Sequence, residues 1–212
     1  MNNVRTITSE TLADDELIAR ILQGEKELYA TIVRRYNQRL YRIGISILNN
    51  EDEIEDAMQV AYINAWENLG KFQFKASFAT WLTRILINEC LLRLRKKRNF
   101  ISMENVQQQN DTAASAADKL VNTELKAMLT NAILQLPETY RTVFVMREME
   151  NMNVAETSDC LAISEVNVKV RLNRAKAMLR DMLSAQYKRE DILHFHLTRC
   201  DRVVEKVMKE LG

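Results

Sequence analysis

The chain has 212 residues and a formal net charge of +1, with 30 Lys and Arg, 29 Asp and Glu, four Gly and one Pro. So few glycines and prolines leave little material for hairpin turns or glycine-rich phosphate loops, and an all-α fold is predicted. Three widely separated cysteines argue against a disulfide framework and favour the reducing cytoplasm. No signal-peptide pattern and no apolar run of about 18 residues is present, which argues against insertion into a membrane.

A first helical domain is predicted over residues 1–98. Residues 69–76 are predicted to form a loop, after which Ser77 is the expected N-cap of a helix with a basic tail, 93–98. The third of the four helices predicted in this domain, over residues 52–68, has one apolar side and one acidic side. Apolar residues at helical spacing place the four helices over residues 14–23, 25–48, 52–68 and from 78 onward.

A flexible linker is predicted next, because residues 99–117 are polar and small and lack a sustained apolar period. A helix over residues 120–136 then opens a second small helical domain, 118–187. The expected architecture is therefore two small helical domains joined by a flexible linker.

A helix-turn-helix motif is predicted in this second domain. Pro137 suits the first position of a helix, and Asn153 with Glu156 forms a capping-box pattern before the next one. A basic helix then begins at Ser164. Its predicted buried stripe comprises Val168, Leu172, Ala175, Leu179 and Met182. Facing away from the stripe are side chains suited to phosphates and base edges: Lys169, Asn173, Arg174 and Arg180.

Residues 188–212 are predicted to form a C-terminal amphipathic helix. Its apolar stripe comprises Leu197, Cys200, Val204, Val207 and Leu211. The imidazoles of His194 and His196 and the thiol of Cys200 are natural zinc ligands, but a fourth ligand and the spacing of a structural site are missing. We therefore predict neither a metal nor another cofactor.

Three stretches, in this order, resemble the group-four or extracytoplasmic-function (ECF) sigma factors, which direct bacterial RNA polymerase to promoters. Residues 51–66 resemble the acidic polymerase-binding helix of sigma domain two, and residues 78–88 resemble the helix that melts the −10 element. Residues 136–141 and the helices after them resemble sigma domain four, which reads the −35 element. The resemblance implies a cytoplasmic specificity subunit of RNA polymerase without a catalytic site of its own.

The resemblance also implies the partners: core RNA polymerase, duplex promoter DNA, the melted non-template strand and, as in many relatives, an anti-sigma factor. The side chains implied for polymerase binding are Asp52, Glu55, Asp56, Gln59 and Trp66. Those implied near the −10 element are Phe72, Phe74, Lys75, Ser77, Arg84, Asn88, Arg93, Arg95, Lys96, Lys97 and Arg98. Those implied for the −35 element are Ser164, Lys169, Val170, Arg171, Asn173 and Arg174.

The residue types fit these roles, although each has a purely structural alternative. Aromatic rings can receive unstacked bases, and each such stack contributes about 1–3 kcal/mol. Phe78 and Trp81 have the spacing of core residues, whereas Phe72 and Phe74 lie in the predicted loop and fit either role. The acidic helix fits a polar rim around an apolar contact, but charged helix faces are often only solvated.

Two other classes of protein are compatible with parts of the chain. A stand-alone helix-turn-helix regulator would explain the second domain but not the acidic helix, aromatic loop and basic tail of the first. An enzyme is disfavoured because no recognisable catalytic signature occurs. Two departures from the sigma pattern, Ala162 in the turn and Glu165 at the start of the basic helix, leave the docking angle on DNA open.

Overall fold

The computed structural model of the chain describes residues 12–103, 122–186 and 208–209. These residues form helices joined by short turns, which confirms the predicted all-α fold. In chain order the longer helices are α1 (Asp14–Leu22), α2 (Tyr29–Leu48), α3 (Glu51–Glu67), α4 (Phe78–Met103), α5 (Asn122–Gln135), α6 (Glu138–Phe144), α7 (Val154–Leu161) and α8 (Glu165–Gln186).

Helices α2, α3 and α4 pack against one another and form the core of the first helical unit. Leu40 and Ile43 of α2, Ile54 of α3 and Leu86 of α4 are fully buried between them. The two helices α2 and α3 approach closely at Gly44, where a Cβ atom would lie 3.0 Å from a side-chain carbon of Ile54. A larger residue at this position would push the two helices apart.

Capping side chains fix where α3 and α4 begin. Asn49 ends α2 in the left-handed region, at φ 53°, which asparagine tolerates better than most residues. Next, Asn50 Oδ1 accepts a hydrogen bond from the backbone N–H of Glu53 at 2.9 Å. Ser77 Oγ accepts one from the N–H of Thr80 at 3.1 Å, which confirms the predicted N-cap of α4.

Three predicted boundaries in the first unit need correction. The helix predicted over 25–48 is divided, because Lys26–Leu28 form a separate 3₁₀ turn before α2. The predicted loop 69–76 contains a second 3₁₀ turn, Leu69–Lys71. The helix α4 continues to Met103, beyond residue 98, where the helix and its basic tail were predicted to end. No glycine or proline stands between residues 98 and 103 to end the helix.

The second unit consists of α5 to α8 and contains the predicted helix-turn-helix. Pro137 lies just before α6 rather than inside it, because its ψ of 139° is extended while its carbonyl accepts from the N–H of Arg141 at 3.0 Å. The predicted capping box of α7 is confirmed. Asn153 Oδ1 accepts from the N–H of Glu156 at 2.9 Å, and Glu156 Oε2 accepts from the N–H of Asn153 at 2.8 Å.

Helix α8 buries the predicted apolar stripe. Val168, Ala175 and Leu179 are buried, and Leu172 and Met182 are half-buried. The turn before α8 is made by Ala162, which ends α7 in the left-handed region at φ 52° and ψ 44°. Left-handed alanine is disfavoured by about 1 kcal/mol because its Cβ crowds the following carbonyl oxygen.

The two units are in contact, since α6 packs on α2 and α7 packs on α4. Among the helices of the described residues, none is long and apolar enough to cross a membrane. Most of the predicted linker lies outside the described residues, as does the predicted C-terminal extension with His194, His196 and Cys200, apart from a helical pair at 208–209.

We expect Ala162→Gly to stabilise the chain by about 1 kcal/mol, because glycine adopts positive φ without the Cβ clash. Urea denaturation followed by circular dichroism would measure the change. Ala177→Gly, at an exposed position within α8, is the matched control and should destabilise by about 0.5–1 kcal/mol. A denaturation midpoint for Ala162→Gly at or below that of the parent chain would contradict the left-handed assignment.

Candidate functional site

A groove runs along the surface between α2 and α3. Its floor and walls combine apolar and amide side chains with one carboxylate, and Ile63 is 50% exposed there. The hydroxyl of Tyr62, one of the lining residues, donates to the carbonyl of Val33 at 3.1 Å, which ties the two helices together at the groove. The lining residues are Val33, Asn37, Gln38 and Tyr41 of α2 and Glu55, Met58, Gln59, Tyr62 and Ile63 of α3.

The side chains predicted to bind polymerase divide into three positions. Glu55 and Gln59 line the groove. Asp52 and Asp56 are exposed on α3 outside the groove lining. Trp66 is half-buried and packs edge-on against Tyr29, with ring centroids 4.9 Å apart.

The contribution of α2 to the groove was missed by sequence reasoning. Asn37, Gln38 and Tyr41 belong to a helix that the sequence presents as a core helix, with apolar residues at helical spacing. Their polar side chains on the opposite face carried no distinctive signal. Only the packing of α2 beside α3 shows that they share one surface with Glu55 and Gln59.

The acidic helix α3 and the basic tail of α4 are joined by ion pairs. Arg93 lies 3.7 Å from Asp56 and 2.7 Å from Glu89, and Lys97 lies 2.8 Å from Glu53. The Asp56 side chain is nevertheless 71% exposed. An ion pair with so exposed a member contributes about 0–1 kcal/mol, so the Asp56 carboxylate remains accessible from solvent. Arg95 and Lys96 are exposed beside them, and the side chain of Arg98 lies outside the described set.

Four aromatic rings cluster at the start of α4. Phe72 is only 9% exposed, and its ring centroid lies 4.6 Å from that of Phe74, 5.5 Å from Phe78 and 5.1 Å from Trp81. Phe72, which was predicted to lie near the −10 DNA, packs its ring between α4 and the loop in this structure. Phe74 is 58% exposed and covers Phe72 from the solvent side.

Phe74 also has an unusual backbone conformation, with φ 55°. Positive φ in a bulky residue is a genuine outlier, and such conformations persist only where the surrounding structure enforces them. The result is an aromatic ring held at the surface next to the exposed side chain of Lys75. Ser77, predicted to contact DNA, also serves as the helix cap. Arg84 and Asn88 are exposed one turn apart on α4.

Helix α8 presents a cationic and amide face to solvent. Ser164 caps it, its Oγ accepting from the N–H of Asn167 at 3.3 Å. Arg174 donates to the hydroxyl of Tyr140 at 3.3 Å, and Arg171 is half-buried. Val166 was missed by sequence reasoning and is 67% exposed near the start of the helix. The predicted contact residues that are exposed along this helix are Lys169, Val170, Asn173 and Arg174.

Neither of the two described thiols is suited to catalysis. Cys90 and Cys160 are buried, and burial raises the pKa of each to about 12, so both are protonated at neutral pH. Among the described residues, no group of three or more His, Cys, Asp or Glu side chains could hold a metal ion. The potential zinc ligands considered from the sequence lie outside that set.

Comparison with known families identifies both units. Residues 32–100 match the family model of Sigma-70 region 2, and residues 126–179 match that of Sigma-70, region 4. The first match covers α3, the loop that carries Phe72 and Phe74, and most of α4. The second covers the helix-turn-helix.

Two solved structures share the fold. The sigma factor RpoE from Bartonella quintana, in complex with the anti-sigma factor NepR, is similar with a TM-score of 0.61 and 17% identity over 75% of this chain and 98% of that chain. CnrH, in complex with the cytosolic domain of CnrY, is similar with a TM-score of 0.59 and 24% identity over 82% of this chain and 99% of that chain.

Curated relatives match over nearly their whole length. The ECF RNA polymerase sigma factor SigW of Bacillus subtilis is 31% identical over 176 residues, which is 78% of this chain and 94% of the relative. The ECF RNA polymerase sigma factor SigM of Mycobacterium tuberculosis is 29% identical over 81% of this chain and 85% of the relative. With both sigma regions in order and relatives of this kind, the chain belongs to the ECF family of RNA polymerase sigma factors.

Proposed function

We propose that this sigma factor binds core RNA polymerase through the α2–α3 groove, reads the −35 element with α8 and captures the −10 element with α4 and the loop before it. The observation that carries this proposal is the succession of the two matched sigma regions, each of which presents an exposed surface with the chemistry its partner needs. A stand-alone DNA-binding regulator would have no use for the first of these surfaces.

The groove suits a protein partner better than DNA. Its exposed apolar side chain, Ile63, lies among amides and one carboxylate, and none of the described residues that line it is a lysine or arginine. Protein interfaces combine such an apolar centre with a polar rim. Asp52 and Asp56 extend the rim along α3, and we propose that Trp66 acts here by packing rather than by direct contact.

The aromatic loop suits a melted strand. Phe74 offers a ring face to solvent, and Lys75 supplies a cation for the strand's phosphates. We propose that Arg84 and Asn88 extend this surface along α4 and that the basic tail holds the flanking duplex. Phe72 supports Phe74 from below and does not contact DNA in this proposal.

The exposed face of α8 suits the major groove. Lys169 and Arg174 supply charges for phosphates or guanine, Asn173 can pair with adenine, and Val170 can meet a thymine methyl group. These side chains share the surface opposite the buried stripe, which seats the helix on α6 and α7. We propose that Ser164 acts mainly as the cap and that Arg171 makes a peripheral contact.

Further parts of the proposal rest on the family. The catalytic chemistry belongs to the polymerase. This chain acts in the cytoplasm, and the boundary between its two domains lies in the sequence between α4 and α5. We also propose that an inhibitory protein controls it, since the solved structure of RpoE contains an anti-sigma factor.

We expect Asn37→Arg to weaken binding to core RNA polymerase at least about tenfold, because a long cation would enter the groove and cover Ile63. Asp56→Arg should act in the same direction by reversing a rim charge. Fluorescence anisotropy of the labelled full-length chain, at fixed salt, measures the affinity. Glu16→Arg, an exposed charge reversal on α1 away from the groove, is the control. Equal affinities for all four proteins would refute the groove assignment.

We expect Phe74→Asn to leave the chain as stable as its parent, because asparagine adopts positive φ readily, while promoter opening is lost with the ring. Permanganate footprinting of a promoter selected with the parent holoenzyme detects the melted bases. Phe72→Ala should instead destabilise the fold by about 3–5 kcal/mol, since it empties a core position. Normal opening by Phe74→Asn would exclude this ring as a base receptor.

We expect Lys169→Ala and Asn173→Ala to affect duplex binding differently. The lysine change should weaken binding to all sequences and reduce the salt slope by about 1, because a phosphate contact is lost. The asparagine change should remove about 1–3 kcal/mol of preference at one base pair. Anisotropy titrations with single-base variants of a selected −35 duplex measure both, and Lys126→Ala on α5 is the control. Identical profiles for the two variants would contradict the assignment.

A further inference from the structure

Two exposed valines lie one turn apart near the start of α8. Val166 is 67% exposed and Val170 is 41% exposed, whereas Val168 between them is fully buried. Among the described residues, neither exposed valine belongs to the packed apolar core. A β-branched side chain on an exposed helix face loses rotamer freedom and gains little from burial. The stability of α8 therefore does not explain why these two positions are valine.

The two valines lie on the side of α8 that points away from the rest of the second unit. At about 100° per residue, they fall together with Asn173 and Ala177 within about 60° of one another. The centre of this set lies about 170° from the centre of the buried stripe. All four side chains are exposed. This outer line of α8, which consists of Val166, Val170, Asn173 and Ala177, is apolar at three of its four positions.

Cations flank the outer line on both sides. Lys169 lies about 70° to one side of its centre and Arg174 about 70° to the other, and both are exposed. The Arg174 guanidinium also donates to the hydroxyl of Tyr140 at 3.3 Å. A helix in the major groove directs its outermost side chains at base edges, and its flanks face the phosphate backbones. The order of cation, apolar line and cation across α8 is complementary to this distribution of charge.

The apolar positions of the outer line call for an apolar group on the DNA. Valine and alanine side chains form no hydrogen bonds, and the 5-methyl group of thymine is the apolar group that a base pair presents in the major groove. Val166 and Val170 are about 6 Å apart along the helix axis, whereas consecutive base pairs are about 3.4 Å apart. The two valines therefore face different base pairs.

We propose that Val166 and Val170 act as a methyl-reading pair, through which α8 selects the −35 element by the 5-methyl groups of thymines at two base pairs. This inference rests on the proposed function of α8. It goes beyond that function by assigning Val166 and by naming the chemical group that the pair reads. Removing a methyl group from the DNA and truncating the valine that meets it abolish the same contact, so their effects are not additive.

Replacing thymine by deoxyuridine tests the proposal, because uracil lacks only the 5-methyl group and keeps the hydrogen-bonding groups of thymine. A promoter is first selected from random sequences with the parent holoenzyme, and each thymine of its −35 element is then replaced singly. Competition titrations at fixed salt give the affinity of the holoenzyme for each duplex.

The protein variants for these titrations are Val166→Ala and Val170→Ala. Alanine is a better helix former than valine, and both positions are exposed, so α8 keeps its fold. Leu129→Ala is the matched control, since it removes an exposed apolar side chain from α5, outside the outer line.

We expect deoxyuridine at two of the thymines to weaken binding of the parent holoenzyme by about threefold to tenfold each, because a methyl group loses its apolar contact. Val166→Ala should remove most of this effect at one of the two thymines and Val170→Ala at the other. Leu129→Ala should leave both effects unchanged. A selected −35 element without thymine, or deoxyuridine effects that are equal in the parent and both valine variants, would overturn the proposal.

Two other patterns also decide against it. If the valine variants weaken assembly of the holoenzyme while deoxyuridine changes nothing, the pair contacts protein rather than DNA. If the parent chain forms no complex with core polymerase and promoter DNA, the proposed function itself has failed, and methyl reading falls with it. The first pattern retains the sigma assignment and the second removes it, so the two failures are distinguishable.

Discussion

The close packing of α2 against α3 is the constraint on which the first unit depends. Gly44 lets the two backbones approach, since even a methyl group there would meet Ile54 at 3.0 Å. The same pair of helices lines the groove, and the acidic face of α3 lies beside the tail of α4. The same core holds the start of α4, where the aromatic cluster fixes the loop. The two surfaces proposed for binding therefore share one packed core.

The buried guanidinium of Arg141 adds directional bonds to the contact between the two units. Burial lowers its pKa, but the group keeps its charge because its donors reach the carbonyl oxygens of Ser46 and Leu134, at 2.7 and 2.6 Å. A desolvated charge is tolerated only while such partners are present. The contact between the units thus combines a few directional hydrogen bonds with apolar packing, since buried hydrophobic side chains of both units belong to one cluster.

Sequence reasoning reached most of the helical architecture because helix signals are local. The Ser77 cap, the Asn153 and Glu156 capping box and the buried face of α8 all follow from residues within one or two turns. It failed where the answer depends on distant residues. The burial of Phe72 results from its contacts with Phe78 and Trp81, and the groove exists only because α2 and α3 are neighbours.

The contact between the units could not be predicted from the sequence for the same reason. Arg42 and Glu150 are far apart in the sequence, and neither stands out among the 59 charged residues of the chain. Their pairing depends on how one folded unit meets the other. The likeness to sigma factors implied which side chains bind polymerase and DNA, but it did not imply that α6 and α7 pack on α2 and α4.

Ala162 affects the range of orientations in which α8 can approach DNA. In the left-handed turn between α7 and α8, glycine would be free of strain but could also sample many other backbone angles. Alanine can adopt fewer backbone conformations than glycine. The helix α8 therefore takes a narrower range of orientations relative to α7. The chain is less stable for it, yet the entropy lost when α8 settles into one orientation on the duplex is smaller. An alanine in this turn therefore exchanges stability for a narrower range of orientations of α8, the helix proposed to read the −35 element.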